Sequence, residues 1–92
     1  MILVSYDIAD DKLRTKFAKD LGKYGHRLQY SVWQIKNSDR VLNNVIELID
    51  SEYARKFDEE DSVYIFKLQK SCMIKTYGFA KHEDDGLIVI KR

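Results

Sequence analysis

The 92-residue chain is the size of one small domain, and its 45% hydrophobic content excludes a disordered polymer. A formal net charge of +1 excludes nucleic-acid binding through the global field, so any such binding has to come from a local patch. The one cysteine, Cys72, excludes a disulfide framework within the chain and fits a reducing cytoplasm, with Cys72 itself expected as a small buried apolar residue. No apolar run approaches the ~20 residues of a membrane span, so a membrane location is not expected. The start, Ile2-Leu3-Val4, lacks the basic region of a signal peptide. Proline is absent and glycine scarce, so one domain over 1–92 is expected.

Ile2 to Ile8 alternates as a strand. Ile2, Val4, Tyr6 and Ile8 form a wholly apolar face, expected to meet helices. Leu3, Ser5 and Asp7 form a face that starts apolar and ends in a carboxylate. Asp10 or Asp11 then supplies a helix cap. Leu13, Phe17, Leu21 and Tyr24 recur at helical spacing and predict a core stripe. Lys12, Lys16, Lys19 and Lys23 fall within about 60° of one another on a side turned away from that stripe. Gly22 and Gly25 predict a helix stop and a turn. His26 to Lys36, HRLQYSVWQIK, is extended by composition and long for one strand. It reads as one kinked strand or as two short strands broken near Tyr30-Ser31.

Ser38 caps a second helix, with Asp39 in its first turn and Val41, Val45, Leu48, Ile49 and Tyr53 as its apolar stripe. Asp58-Glu59-Glu60-Asp61 reads as a solvated loop. Val63 to Leu68 is apolar on both parities and predicts a well-covered strand. Met73 to Phe79 is a further extended segment, Glu83 to Gly86 a turn, and Leu87-Ile88-Val89-Ile90 a last strand. Each helix lies between extended segments. That order predicts an α+β sandwich of ferredoxin-like type: an antiparallel sheet, two helices on one face, and an extra C-terminal strand at 87–91. The far face of the sheet is expected to carry Leu3, Trp33 and Phe66, and the terminal run is apolar and edge-prone. Soluble monomers rarely leave such a face and edge bare. A homodimer is expected, packed sheet on sheet, with the 87–91 strand added to the partner's sheet edge.

Function turns on Asp7. A lone aspartate at a strand end ordinarily does no more than satisfy backbone amides. In a two-fold dimer, however, Asp7 shares the face of Leu3 and approaches its symmetry mate. Two close carboxylates repel unless one takes a proton or a cation sits between them. Magnesium (Mg2+) accepts one or two carboxylates, several waters and substrate phosphate oxygens. It also lowers the pKa of a bound water and polarises a phosphodiester. Zinc is not expected, because His26 and His82 lie far apart with no Cys/His cluster. Ser31 lacks Ser-His-Asp company and reads as a strand or bulge residue. There is no glycine-rich phosphate loop.

Lys12, Arg14, Lys16, Lys19, Lys23 and Arg27 are opposed within that stretch by Asp20 alone. Such a run is ordinarily a solvated helix face. Doubled in a dimer, it becomes a stripe suited to tracking a nucleic-acid backbone. Arg14 lies off the lysine stripe. It is either a carboxylate's structural partner or aimed at the sheet tip.

Tyr6-Asp7-Ile8, DDKLR (Asp10 to Arg14) and GHRLQYSVW (Gly25 to Trp33) together resemble the second CRISPR-associated protein family. The likeness extends through DSVYIF (Asp61 to Phe66), the single-cysteine region and the terminal strand. The resemblance implies a small ferredoxin-like homodimer of the CRISPR adaptation machinery. It implies that Asp7, from both protomers, is the magnesium-binding catalytic residue of a metal-dependent endonuclease. The implied substrate is chiefly single-stranded RNA and in some cases double-stranded DNA. It further implies that the homodimer bridges two integrase dimers in a complex that inserts new spacers.

By position, Tyr6, Arg14, Arg27 and Ser31 match family residues linked to activity or nucleic-acid contact. Trp33 stands where phenylalanine is frequent, which keeps a flat apolar surface near the metal. Lys16 stands where a second arginine is common, which weakens bidentate phosphate contact. Two other readings compete. One is a non-catalytic DNA-binding adaptor of the integrase, held through Lys12, Lys16, Lys19 and Lys23. The other is a toxin-type ribonuclease of the VapD group, against which the C-terminal strand argues.

Overall fold

The first strand, β1 (Ile2–Asp7), is paired on both sides. In the computed structural model, which describes residues 1–78 and 89–91, it is followed by α1 (Asp11–Leu21) and by β2 (Gly25–Gln29) and β3 (Val32–Ile35). Next come α2 (Asp39–Leu48), β4 (Ser62–Lys67), β5 (Ile74–Thr76) and β6 (Val89–Lys91). The first four strands form one antiparallel sheet in the order β2-β3-β1-β4, and β5 and β6 form a separate parallel pair. The turn expected at Glu83 to Gly86, together with Leu87 and Ile88, lies outside the described residues. No helix among the described residues is long and apolar enough to cross a membrane.

The alternation of β1 sorts the layers. Ile2, Val4, Tyr6 and Ile8 are buried, as their parity predicts. They meet Phe17, Ala18 and Leu21 of α1, Val45 of α2, and Tyr53. Asp10 is the α1 cap, its carboxylate accepting from the Leu13 amide at 2.8 Å. Ser38 caps α2 and accepts from the Val41 amide at 3.3 Å. Past Leu48 the helix widens into a π-helical turn (Ile49–Tyr53) and then tightens into a 3-10 turn (Ala54–Lys56). Tyr53, at the end of the wide turn, is fully buried and donates its hydroxyl to Asp20 of α1. Burial and that carboxylate both push the Tyr53 phenol far above its ordinary pKa. Tyr6, Phe17 and Tyr53 run edge to face, with centroids 5.0 and 4.9 Å apart.

The segment 26–36 is two strands. The chain turns at Tyr30-Ser31, and a bulge between Arg27 and Gln29 shifts the register. Gly25 opens β2 rather than forming a turn, and a close approach demands it. A Cβ there would lie 1.9 Å from the Gln34 carbonyl oxygen and 2.6 Å from the Ile35 Cα.

Three expectations of burial are corrected. Trp33 does not lie on the far face: it pairs with Val4, is 8% exposed, and belongs to the core beneath the helices. The far-face residues of β3 are Val32, opposite Ser5, and Gln34, opposite Leu3. β4 is not well covered, because it is the edge strand beside β1, with Tyr64 62% and Phe66 44% exposed. Its double-sided apolar character arises because the second apolar face is left open on this chain. Cys72 is half-buried rather than buried.

Replacing Gly25 by alanine forces β2 and β3 apart at their closest point. The expected cost is about 2 kcal/mol. Thermal unfolding should show it as a fall of about 10 °C in Tm.

Candidate functional site

Asp7 ends β1 opposite Ser62, with its side chain exposed. The backbone just beyond it is held from two sides. From α1, Arg14 Nη1 donates to the carbonyls of Ile8 (2.9 Å) and Ala9 (3.3 Å), while Nη2 pairs with Asp11. From the loop before β4, Asp61 Oδ1 accepts from the Ala9 amide at 2.9 Å. Its other oxygen accepts from the Asp58 amide at 2.8 Å. The hydrogen bond to Asp11 raises the Arg14 guanidinium further above its ordinary value. The two amide donors hold the Asp61 carboxyl below the usual carboxylate range. Arg14 thus both pairs with a carboxylate and reaches the end of β1 beside Asp7.

Tyr6 and Asp7, adjacent in sequence, serve opposite faces of the sheet. Tyr6 points to the helices, where its hydroxyl accepts from Trp33 Nε1 at 3.2 Å. Its amide donates to the Ser31 carbonyl at 3.1 Å, so Ser31 contributes a backbone contact from the β2–β3 turn. Arg27 lies across Trp33, with its guanidinium carbon 5.0 Å from the ring centroid, and 5.9 Å from the Tyr30 ring. The Arg27 Nε is buried without a hydrogen-bond partner among the described residues.

These residues wall an open groove of about 610 Å³ between α1 and the β2–β3 hairpin. Tyr6, Arg14, Lys19, Arg27 and Trp33, all singled out in the sequence, contribute to it, whereas Asp7 does not. A cation over an indole beside an exposed phenol can hold a flat, electron-rich ring and an anionic group together.

The lysine stripe is divided by its pairings. Lys16 lies 3.9 Å from Glu52 and over the Tyr53 ring, and Lys23 lies 3.5 Å from Asp20. Lys12 and Lys19 are exposed on α1. Among the described residues no group of three or more His, Cys, Asp or Glu side chains could hold a metal ion. Sequence reasoning missed Asp61 and Tyr30. The signal for Asp61 was available: the antiparallel pairing of Asp7 with Ser62 brings residue 61 beside the residues that follow Asp7.

A family model described as CRISPR associated protein Cas2 matches residues 1–76. The chain belongs to that family. It is 35% identical over 68 residues to the CRISPR-associated endoribonuclease Cas2 3 of Synechocystis sp., covering 74% of this chain and 71% of that protein. It is 31% identical over 91 residues to the CRISPR-associated endoribonuclease Cas2 2 of Methanospirillum hungatei, covering 97% of this chain and 96% of that protein. The crystal structure of Streptococcus pyogenes Cas2 at pH 6.5 shares the fold. The TM-score is 0.62 at 24% identity, covering 76% of this chain and 87% of that one.

Asp61 and Asp39 are both held below the ordinary carboxylate range, Asp39 by its 2.8 Å hydrogen bond from Lys67. Their stabilisation is therefore present above the unfolded pKa of about 3.9 and is lost as pH falls through the folded values. The melting temperature should fall as pH drops below about 4. An Asp61→Asn, Asp39→Asn double variant should show a flatter profile there by calorimetry.

Proposed function

We propose that this Cas2 family member is a metal-dependent endoribonuclease acting chiefly on single-stranded RNA. It works as a ferredoxin-like homodimer, with Asp7 of both copies holding magnesium. The observation that carries this reading is the placement of Asp7. It ends the central strand on the face of Leu3, next to the open face of β4. On that face Tyr64 and Phe66 stack with centroids 6.1 Å apart and stay exposed. A second copy laid on this face would cover the rings and bring the two Asp7 carboxylates together. The names of the Cas2 relatives support ribonuclease activity.

Magnesium at the Asp7 pair would supply an activated water and neutralise charge on the phosphodiester. The chain's own residues do the rest. Arg14 and Asp61 set the backbone beyond Asp7. Lys12 and Lys19 attract the nucleic-acid backbone. Arg27, over Trp33, offers a stacking surface to an unpaired base. Duplex DNA is the second substrate class this surface suits.

One observation favours a second reading. The outer side of α1 presents Lys12 and Lys19 to solvent. On that reading the homodimer is an adaptor of CRISPR adaptation in the cytoplasm, holding DNA and bridging integrase dimers without chemistry of its own.

The deciding experiment is cleavage of labelled single-stranded RNA and double-stranded DNA with magnesium and with chelator. Asp7→Asn is expected to lower magnesium-dependent cutting by about a hundredfold or more while leaving the dimer intact. Equal cutting by the variant would refute the role of Asp7. No cutting by the wild type would turn the account toward the adaptor. Tyr64→Glu with Phe66→Glu is expected to convert the dimer to monomer in light scattering. Charge reversal of Lys12 and Lys19 should weaken duplex binding and flatten its salt dependence.

A further inference from the structure

The acidic run Asp58 to Asp61 ends in a side chain engaged by two backbone amides. The antiparallel ladder between β1 and β4 closes at Asp7 and Ser62. One step beyond it, the half-buried Asp61 replaces a missing backbone rung with its side chain, binding the amides of Ala9 and Asp58 with one oxygen each. Arg14 holds the other side of the same peptides through the carbonyls of Ile8 and Ala9. Both backbone polar groups of Ala9 are thus engaged by charged side chains, one from α1 and one from a segment 52 residues away. The start of α1 does not need Asp61, because Asp10 caps it independently. What Asp61 restrains is the chain between Asp7 and that cap.

We propose that Asp61 is a positioning residue for Asp7: through the Ala9 amide it fixes the direction in which the chain leaves β1, and so the place from which the Asp7 carboxylate reaches a metal. This rests on the reading of Asp7 as the metal-binding carboxylate. Metal ligands lose affinity when their supporting hydrogen bonds are removed, commonly by 10- to 100-fold. Asp61 does not itself touch the metal. Its effect is transmitted along two peptide units, from Ala9 through Ile8 to Asp7.

The test uses the intact protein and three readouts: hydrogen exchange at the Ala9 amide by NMR, Mn2+ binding by calorimetry with Asp7→Asn as the reference, and kcat and KM for single-stranded RNA. Asp61→Ala is expected to speed Ala9 exchange by roughly tenfold or more. It should raise the Mn2+ concentration for half-saturation by roughly tenfold, and lower kcat with little change in KM. Asp61→Asn keeps one acceptor oxygen and should shift exchange and metal binding less. It also serves if the alanine variant does not fold. Faster exchange with unchanged Mn2+ binding in either variant overturns the proposal, because the loop would then move without consequence for Asp7. Unchanged Ala9 exchange in Asp61→Ala also overturns it. Wild-type protein that binds Mn2+ no better than Asp7→Asn overturns the reading of Asp7 itself, and the positioning role with it, a result distinct from the other two.

Discussion

Pairing on both sides of β1 is the constraint on which the rest depends. A strand with neighbours at both edges cannot slip by one residue without turning its whole apolar set outward. With that register set, Ile2, Val4, Tyr6 and Ile8 anchor both helices, and Leu3, Ser5 and Asp7 belong to the other face. The aromatic line from Trp33 through Tyr6 and Phe17 to Tyr53 extends the same constraint across the core. It ends on Asp20, so α1 is tied at once to the sheet and to the wide turn after α2.

The chemistry-bearing residues fall into two groups because of this alternation. One group lies toward the helices, where Arg27, Trp33, Tyr30 and Tyr6 build the groove wall. The other is Asp7 with the clamped loop behind it, at the end of the sheet. On the proposed function, the first would receive a base and the second a phosphate. The two places are linked through the peptides that Arg14 holds, since Arg14 also borders the groove.

Much of this was legible in the sequence where the causes are local. The apolar parity of β1, the stripe of α1 and the caps Asp10 and Ser38 follow from period and side-chain chemistry within a few residues. The family likeness, carried by short motifs around Asp7, Arg14 and Arg27, was legible as well. Long-range register was not. Trp33 has apolar or aromatic neighbours on either reading of its parity, and only its pairing with Val4 decides the face. β4 looks covered because both its parities are apolar, although its far face is left open on a single chain. Asp61 looked like one more solvated charge because its partner, Ala9, is distant in sequence. The break at Tyr30-Ser31 was one of two readings of 26–36, and no proline or glycine there decides between them.

Trp33 is the chain's one tryptophan, and its setting gives the protein a built-in optical gauge. The indole is nearly dry, its N–H is tethered to Tyr6, and a guanidinium rests on its face. Its emission therefore samples the groove wall and the hub of the core together. A ligand that lifts Arg27 away would alter the cation beside the ring while leaving the tether intact, whereas unfolding would release the tether and wet the ring. The two events separate by colour and intensity, so one unlabelled sample can report both occupancy and stability.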